Sequence, residues 1–337
     1  MKKVLLLCLI TLVTLNGIFA NGNSENQDQN NMDKVYKLKL GHIQPVDHPN
    51  GQGAEEFARL VEEKTNGKVK VSVFPSSQLG TEQELFDSIA MGTIDFAALG
   101  YGMAAKQYSP FLIFDAPYLA LDREQWVRIM NSDVIQEIYD GLEEKTDVVP
   151  LGAFYYGNRY LTTASFPVRK PADLNKHTVR VPDQKMYIDT LNSMGATATP
   201  MAFSEVFLSL QQGVIDAQEN PLATIATNKF NEVQKYLNQT EHITGGNVFY
   251  ASRKSLDKLP KEYQDAIIEA GKEAAAYTNK LAFEVEDGYK QKLQDQGMIL
   301  VSDVDKEAFK EATKVVYADL EKDPLIADYL EKIRMIK

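Results

Sequence analysis

The sequence predicts an α/β protein built from two related lobes, and three observations carry that expectation. One pattern occurs twice, about 120 residues apart: residues 83–97 and 204–218 share the skeleton Glu-(Leu/Val)-Phe-x-Ser-(Ile/Leu)-x-x-Gly-x-Ile-Asp. Strand-like and helix-like periods alternate from residue 35 onward. A helical apolar pattern near the C-terminus then runs too far to fit one small lobe. Each copy of the repeat reads as an amphipathic helix stopped by Gly in a left-handed conformation, followed by a buried strand. Such a unit cannot bury its own apolar face, so each copy implies a lobe around it. The spacing is far longer than the roughly 20–50 residues of a solenoid repeat. Two such lobes enclose a cleft, the usual place for a small ligand.

The elements follow in order. Lys2-Lys3, an apolar run over 4–13 and Gly17-Ile18-Phe19-Ala20 form a cleavable signal peptide over residues 1–20, too short to span a membrane. Cys8 lies inside it and is the only cysteine, so the mature chain has no disulfide and no Cys-ligated metal. Residues 21–33 hold almost nothing to bury and are expected as a disordered leader. Residues 35–40 alternate apolar and basic side chains as a half-buried strand does. A helix over 53–65 follows, carried by Phe57, Leu60 and Val61 and closed by Asn66-Gly67; His48-Pro49 suits a helix start. Residues 69–74 form the second strand, ended by Pro75, and the first repeat completes a β-α-β-α-β opening. Residues 147–156 read as a buried strand, and residues 178–182 open the second lobe, which contains the second repeat.

Between Pro260 and Gly297, apolar residues from Tyr263 to Leu293 step by three or four. One helix of this length runs roughly 55 Å and is buried only by lying across both lobes. Gly271 and Gly288 are its candidate bend points; a break at either makes two helices instead.

The formal charge is −11, and loss of Lys2 and Lys3 with the signal peptide takes it to −13. A surface this acidic repels phosphate backbones, which argues against nucleic acid and anionic lipid as partners. Any anion site must therefore rest on a few local cations. The four histidines lack metal-ligand spacing, and no Gly-x-Ser-x-Gly, P-loop or dinucleotide fingerprint occurs, so no metal, cofactor or catalytic constellation is expected.

Polar groups in apolar settings are more telling. In Val179-Arg180-Val181-Pro182, strand alternation points Arg180 away from both valines. A guanidinium there is either a solvated strand face or an inward group able to hold a carboxylate through two parallel hydrogen bonds. Arg159 sits just past the end of a buried strand, where ligand groups gather in open α/β sheets. Asn220 leaves the second repeat's strand at the matching place, and Phe203 precedes that repeat's helix as core or as an apolar wall.

The run from Ala198 to Leu222 resembles the signature block of the solute-binding proteins of TRAP (tripartite ATP-independent periplasmic) transporters. Phe74-Pro75-Ser76-Ser77-Gln78-Leu79-Gly80, Gly92-Thr93-Ile94-Asp95, Pro171-Ala172-Asp173-Leu174, Val179-Arg180-Val181-Pro182 and Lys258-Leu259-Pro260-Lys261-Glu262 support the likeness in order along the chain. The resemblance implies a two-lobed periplasmic-binding-protein fold, type II-like, with a long helix spanning both lobes. Residues 34–156 plus 246–285 would form lobe I, and 157–245 plus 286–337 lobe II. It also implies an organic-acid ligand and membrane permease subunits as partners; the signal peptide leads us to expect a periplasmic protein, the missing catalytic groups no enzyme, and nothing in the sequence demands more than a monomer.

Carried over residue by residue, the main carboxylate-binding arginine falls on Arg180 and the second arginine on Arg159. Asn220, Phe203, Asp183 and Glu82 match further ligand-side positions. The second lobe is similar to the sialic-acid-binding branch. That branch's Asn after the first strand and Glu after Ile94-Asp95-Phe96 are replaced here by Gly41-His42-Ile43 and Ala98-Leu99-Gly100-Tyr101. His48 and Tyr101 offer hydroxyl binding and stacking for a smaller sugar acid, a hexuronate above all. A four-carbon dicarboxylate or sialic acid is the alternative. Rival readings from other classes are an exported hydrolase or isomerase on a two-lobed scaffold and a sensory ligand-binding module.

Overall fold

The computed structural model describes residues 34–120 and 122–336. The expected signal peptide and leader lie outside the described residues. Strand β1 (Tyr36–His42) lies parallel to β2 (Val69–Phe74), in register from Tyr36 opposite Val69 to Gly41 opposite Phe74. Between them runs α1 (Pro49–Lys64), with Pro49 in its first turn, where the missing N–H costs nothing, and Phe57 and Val61 fully buried. The first repeat becomes α2 (Glu82–Met91) and β3 (Phe96–Gly100). Thr81 and Glu84 cap α2 reciprocally, and Gly92 ends it at φ +78°, a conformation that penalises any side chain.

Helices α3 (Arg123–Met130) and α4 (Asp133–Lys145) lead into β4 (Val148–Thr163). The second half then repeats the first: β5 (Thr178–Val181), α5 (Lys185–Ser193), β6 (Thr197–Pro200), α6 (Val206–Gln211) and β7 (Ala217–Pro221). Short α7 (Leu222–Thr227) and β8 (Tyr236–Asn238) precede the long return strand β9 (Thr244–Ser252). The strand order is β2-β1-β3-β9-β4-β7-β5-β6, so each half contributes the same three-strand arrangement and β9 and β4 join them at the centre.

The repeat is functional in the architecture as well as in sequence. Its closing Asp grips the opening strand of its own half: Asp95 Oδ2 accepts from the Lys39 N–H at 2.8 Å, and Asp216 Oδ2 from the Thr178 N–H at 2.8 Å. Helices cover both faces of the sheet. On one side of the first half, Phe57, Phe96, Phe154 and Phe249 pack under α1; on the other, Tyr101, Phe111, Phe114, Trp126 and Tyr139 form a second core.

The C-terminal pattern forms one helix, α8 (Lys261–Asp295), with Pro260 at its N-cap and Gly297 just beyond it at φ +95°. Its 35 residues correspond to about 53 Å. It packs on α1, β4 and α7. The helix continues through both expected bend points. A Cβ at Gly271 would lie 2.5 Å from Leu151 Cβ, so this glycine serves close approach to β4. Strand β10 (Ile299–Val301) pairs with β8, and α9 (Lys306–Leu320) and α10 (Pro324–Arg334) finish the chain. Among the described residues no helix is long and apolar enough to cross a membrane.

Candidate functional site

Strand β5 places Arg180. Val179 and Val181 point into the second half's core with no exposure, and alternation sends Arg180 to the opposite side, where it is buried too. Its guanidinium lies 5.7 Å from the Phe203 ring centroid and donates from Nε and Nη2 to the Met201 carbonyl at 3.1 and 2.7 Å. No carboxylate of the described residues hydrogen-bonds to it. Burial pulls its pKa down to about 10, with Arg159 adding to the fall and Glu219 and Glu82 opposing it. Arg180 is thus a desolvated cation whose charge the protein only partly compensates.

Arg159, on β4, has the opposite arrangement. Its Nε and Nη2 form a two-point pair with Glu219 on β7, Nη2 at 2.8 Å from Oε1, and Nη2 also reaches Asn220 Oδ1 at 3.1 Å. The antiparallel register sets Leu161 opposite Glu219 and Arg159 opposite Pro221, so the pair is a diagonal cross-strand contact. Both side chains are buried. Burial disfavours both charges, yet each partner's field outweighs it: Glu219 is held below the usual carboxylate range by Arg159 and by His242, whose Nε2 lies 3.2 Å from Oε2. Glu219 and His242 were not anticipated; the Gln-Glu-Asn-Pro run marked the strand, but the pairing depends on tertiary register.

Two adjoining cavities share Ile43, Glu82, Arg180, Pro182 and Phe203 as walls. The inner one is also lined by Tyr156, Arg159, Asn220 and Asn247. Asn220 is buried, its amide donating to Gln218 Oε1 at 2.6 Å. Glu82 stands at the start of α2 with Oε1 3.5 Å from the Gly100 nitrogen; burial raises its pKa against the pull of Arg180. Asp183 is exposed at the rim of the outer cavity and pairs with Lys106 at 3.2 Å. Arg180, Arg159, Asn220, Phe203, Glu82 and Asp183 therefore converge on one cleft.

Two expected residues do not line it. Tyr101 follows the last residue of β3, where the chain turns, and its ring enters the aromatic core 4.6 Å from Phe114 with its hydroxyl 3.3 Å from Met130 Sδ. Gly100 takes the cleft-facing place instead. His48 is buried as the N-cap of α1, its Nδ1 accepting from the Asn50 N–H at 3.0 Å, and it touches the cleft only through Thr224 and Tyr156. Among the described residues no cluster of three or more His, Cys, Asp or Glu could hold a metal ion.

The profile of bacterial extracellular solute-binding protein, family 7 (DctP), matches residues 40–323. A solute-binding protein of Roseobacter denitrificans is 36% identical over 303 residues, covering 89% of both chains. The structure of that protein with bound L-galactonate superposes with a TM-score of 0.83 at 33% identity, over 88% of this chain and 99% of that one. A TRAP periplasmic solute-binding protein from a Polaromonas species, bound to D-erythronate, gives a TM-score of 0.86 at 31% identity, over 90% and 99%. One from Chromohalobacter salexigens with bound D-glucuronate gives 0.85 at 29% identity, over 89% and 100%. With the family profile spanning residues 40–323 and relatives matched over nearly the whole described length, this chain belongs to family 7 of the bacterial extracellular solute-binding proteins, the organic-acid-binding components of TRAP transporters.

Proposed function

We propose that this protein captures a sugar acid, a hexuronate or a related aldonate, outside the cytoplasm and delivers it to the membrane permease of a TRAP transporter. The observation that carries this reading is Arg180, a buried guanidinium on the cleft wall whose only hydrogen-bond partner among the described residues is one backbone carbonyl. Its remaining donors suit a carboxylate, which would supply the missing counter-charge through charge-assisted hydrogen bonds. Arg159 is already paired with Glu219, so its role is to fix Asn220 and add a positive field. The lobes, taken as 34–156 plus 246–285 and 157–245 plus 286–337, would close over the bound acid.

A sugar acid is favoured over a dicarboxylate because the other polar groups of the inner cavity, Glu82, Tyr156, Gln184 and Asn247, suit hydroxyls. A second carboxylate would meet Glu82 where it needs a cation. Phe203 offers an apolar wall for the carbon chain.

Isothermal calorimetry with D-glucuronate, L-galactonate, D-erythronate and succinate tests the reading. At least one sugar acid should bind more tightly than succinate. Arg180→Ala should weaken that acid by at least about tenfold, since a charged hydrogen bond is worth about 1.5–3 kcal/mol. Arg180→Lys should fail similarly, because an ammonium cannot reproduce the two-point geometry. Unchanged affinity in either variant refutes the role of Arg180, and a preference for succinate refutes the sugar-acid assignment.

A further inference from the structure

Behind the cleft lies a buried hydrogen-bond network whose two ends are main-chain groups. At one end, the Asn50 N–H donates to His48 Nδ1 at 3.0 Å. A nitrogen that accepts this bond carries no proton, so the neutral ring has its hydrogen on Nε2. Nε2 lies 3.1 Å from Thr224 Oγ1 and therefore donates to it. Thr224 is fully buried, and its only other side-chain partner among the described residues is Tyr156 Oη at 2.8 Å. The threonine proton accordingly goes to Tyr156.

The other end gives the same direction. Asn228 Nδ2 donates to the Thr224 carbonyl at 3.0 Å, which fixes the Asn228 amide, because a carbonyl only accepts. The same Nδ2 donates to Gln44 Oε1 at 3.2 Å, so Gln44 presents its Nε2 to Tyr156 Oη, at 2.8 Å. Tyr156 Oη thus receives two hydrogen bonds and has no acceptor capacity left. Its own proton must point elsewhere, and Tyr156 is a wall of the inner cavity beside Arg159 and Arg180.

We infer that Tyr156 is a specificity-determining residue, an obligate donor held by the His48–Thr224 and Asn228–Gln44 arms, which binds a ligand oxygen acting as acceptor. The inference deepens the organic-acid reading and rests on it. A phenol fixed as donor selects carboxylate, keto, ring or hydroxyl oxygens and rejects a protonated amine or an amide N–H at that place. His48 and Gln44 act through Tyr156 and are positioning residues.

Two measurements test this. Long-range ¹H–¹⁵N NMR of the purified protein should find His48 as the neutral Nε2–H tautomer at pH 7; an Nδ1–H tautomer or a doubly protonated ring overturns the proposal without reference to any ligand. Calorimetry with D-glucuronate and L-galactonate should find Tyr156→Phe about tenfold or more weaker than wild type for whichever acid the wild type binds. Thr224→Val should weaken the same acid, and Thr224→Ser should restore it, which a purely structural role does not predict. Equal affinity of wild type and Tyr156→Phe overturns the proposal. Wild-type protein that binds none of the sugar acids refutes the proposed function instead, and the tautomer then decides whether the network is directed as argued.

Discussion

Replacing Glu219 by Gln probes the charge pair on which the cleft wall is built. Glu219 has no exposed surface and accepts from Arg159 Nε and Nη2 and from His242 Nε2. Glutamine keeps the shape and one acceptor oxygen, but its amide turns N–H donors toward a guanidinium that offers only donors. Arg159 is then a buried, uncompensated cation, a change that costs about 3–5 kcal/mol. At about 2–3 °C per kcal/mol for a domain of this size, the melting temperature should fall by roughly 6–15 °C. Replacing both partners, as Arg159→Met with Glu219→Leu, should recover much of that loss, because two buried charges leave together. The pH dependence supplies a second check. The Glu219 pKa in the folded state lies below its usual 4.5, so the unfolded chain takes up that proton first. Its stabilisation is complete above pH about 4.5 and is lost as pH falls through the folded value. Differential scanning calorimetry from pH 7 to pH 3 should therefore find wild type and Glu219→Gln converging in acid. A variant that melts within about 2 °C of wild type at pH 7 would refute the argument, since that gap corresponds to about 1 kcal/mol or less.

Buried histidines predict acid lability by a different route. Burial lowers His42 to about 4, and burial with the nearby His42 lowers His48 to about 3. Both folded values lie below the ~6.5 of a free imidazole, so stability is intact above that pH and falls by about 1.4 kcal/mol per unit per histidine below it. His42→Leu should flatten the loss between pH 6.5 and 4 in thermal melts; an unchanged slope would count against a neutral His42. The two glycines of α8 should respond with opposite signs to alanine. Gly271→Ala, facing Leu151 at 2.5 Å, should destabilise by about 1–3 kcal/mol. Gly288→Ala, with nothing within 4 Å, should stabilise by about 0.5–1 kcal/mol. Denaturant midpoints that move the same way for both contradict this picture of the helix.

Local signals made much of the molecule legible. Strand β2 matches residues 69–74 as read from alternation, and both repeat units, with their glycine stops, occur where expected. Pro260 and Gly297 bracket α8 as predicted. The far half of β4 was missed because Asn158, Arg159, Thr162 and Thr163 break the apolar run; their burial depends on partners from β7, β8 and β9 that no local pattern discloses. Alternation set Arg180 opposite Val179 and Val181 but left open whether it faced solvent or the interior; its burial comes from packing on the other side of β5. Tyr101, set by family likeness on the ligand side, instead follows the last residue of β3, where the turning chain carries its ring into the aromatic core. His48 shows the reverse case: the proline after it announced a helix start, and that role took the imidazole out of the cleft.

The central ribbon has one further consequence. The register of β4 against β9 slips between Tyr155 and Gly157, opposite Gly246 and Gly245. Gly157 sits at φ +128°, and a Cβ on Gly245 would come within 3.3 Å of its carbonyl oxygen. The slip leaves Tyr156 as the unpaired residue of a bulge, which turns its side chain to the inner cavity. Gly157 is two residues from Arg159, so a shift of the chain at this break would be felt at once on the wall of the cleft.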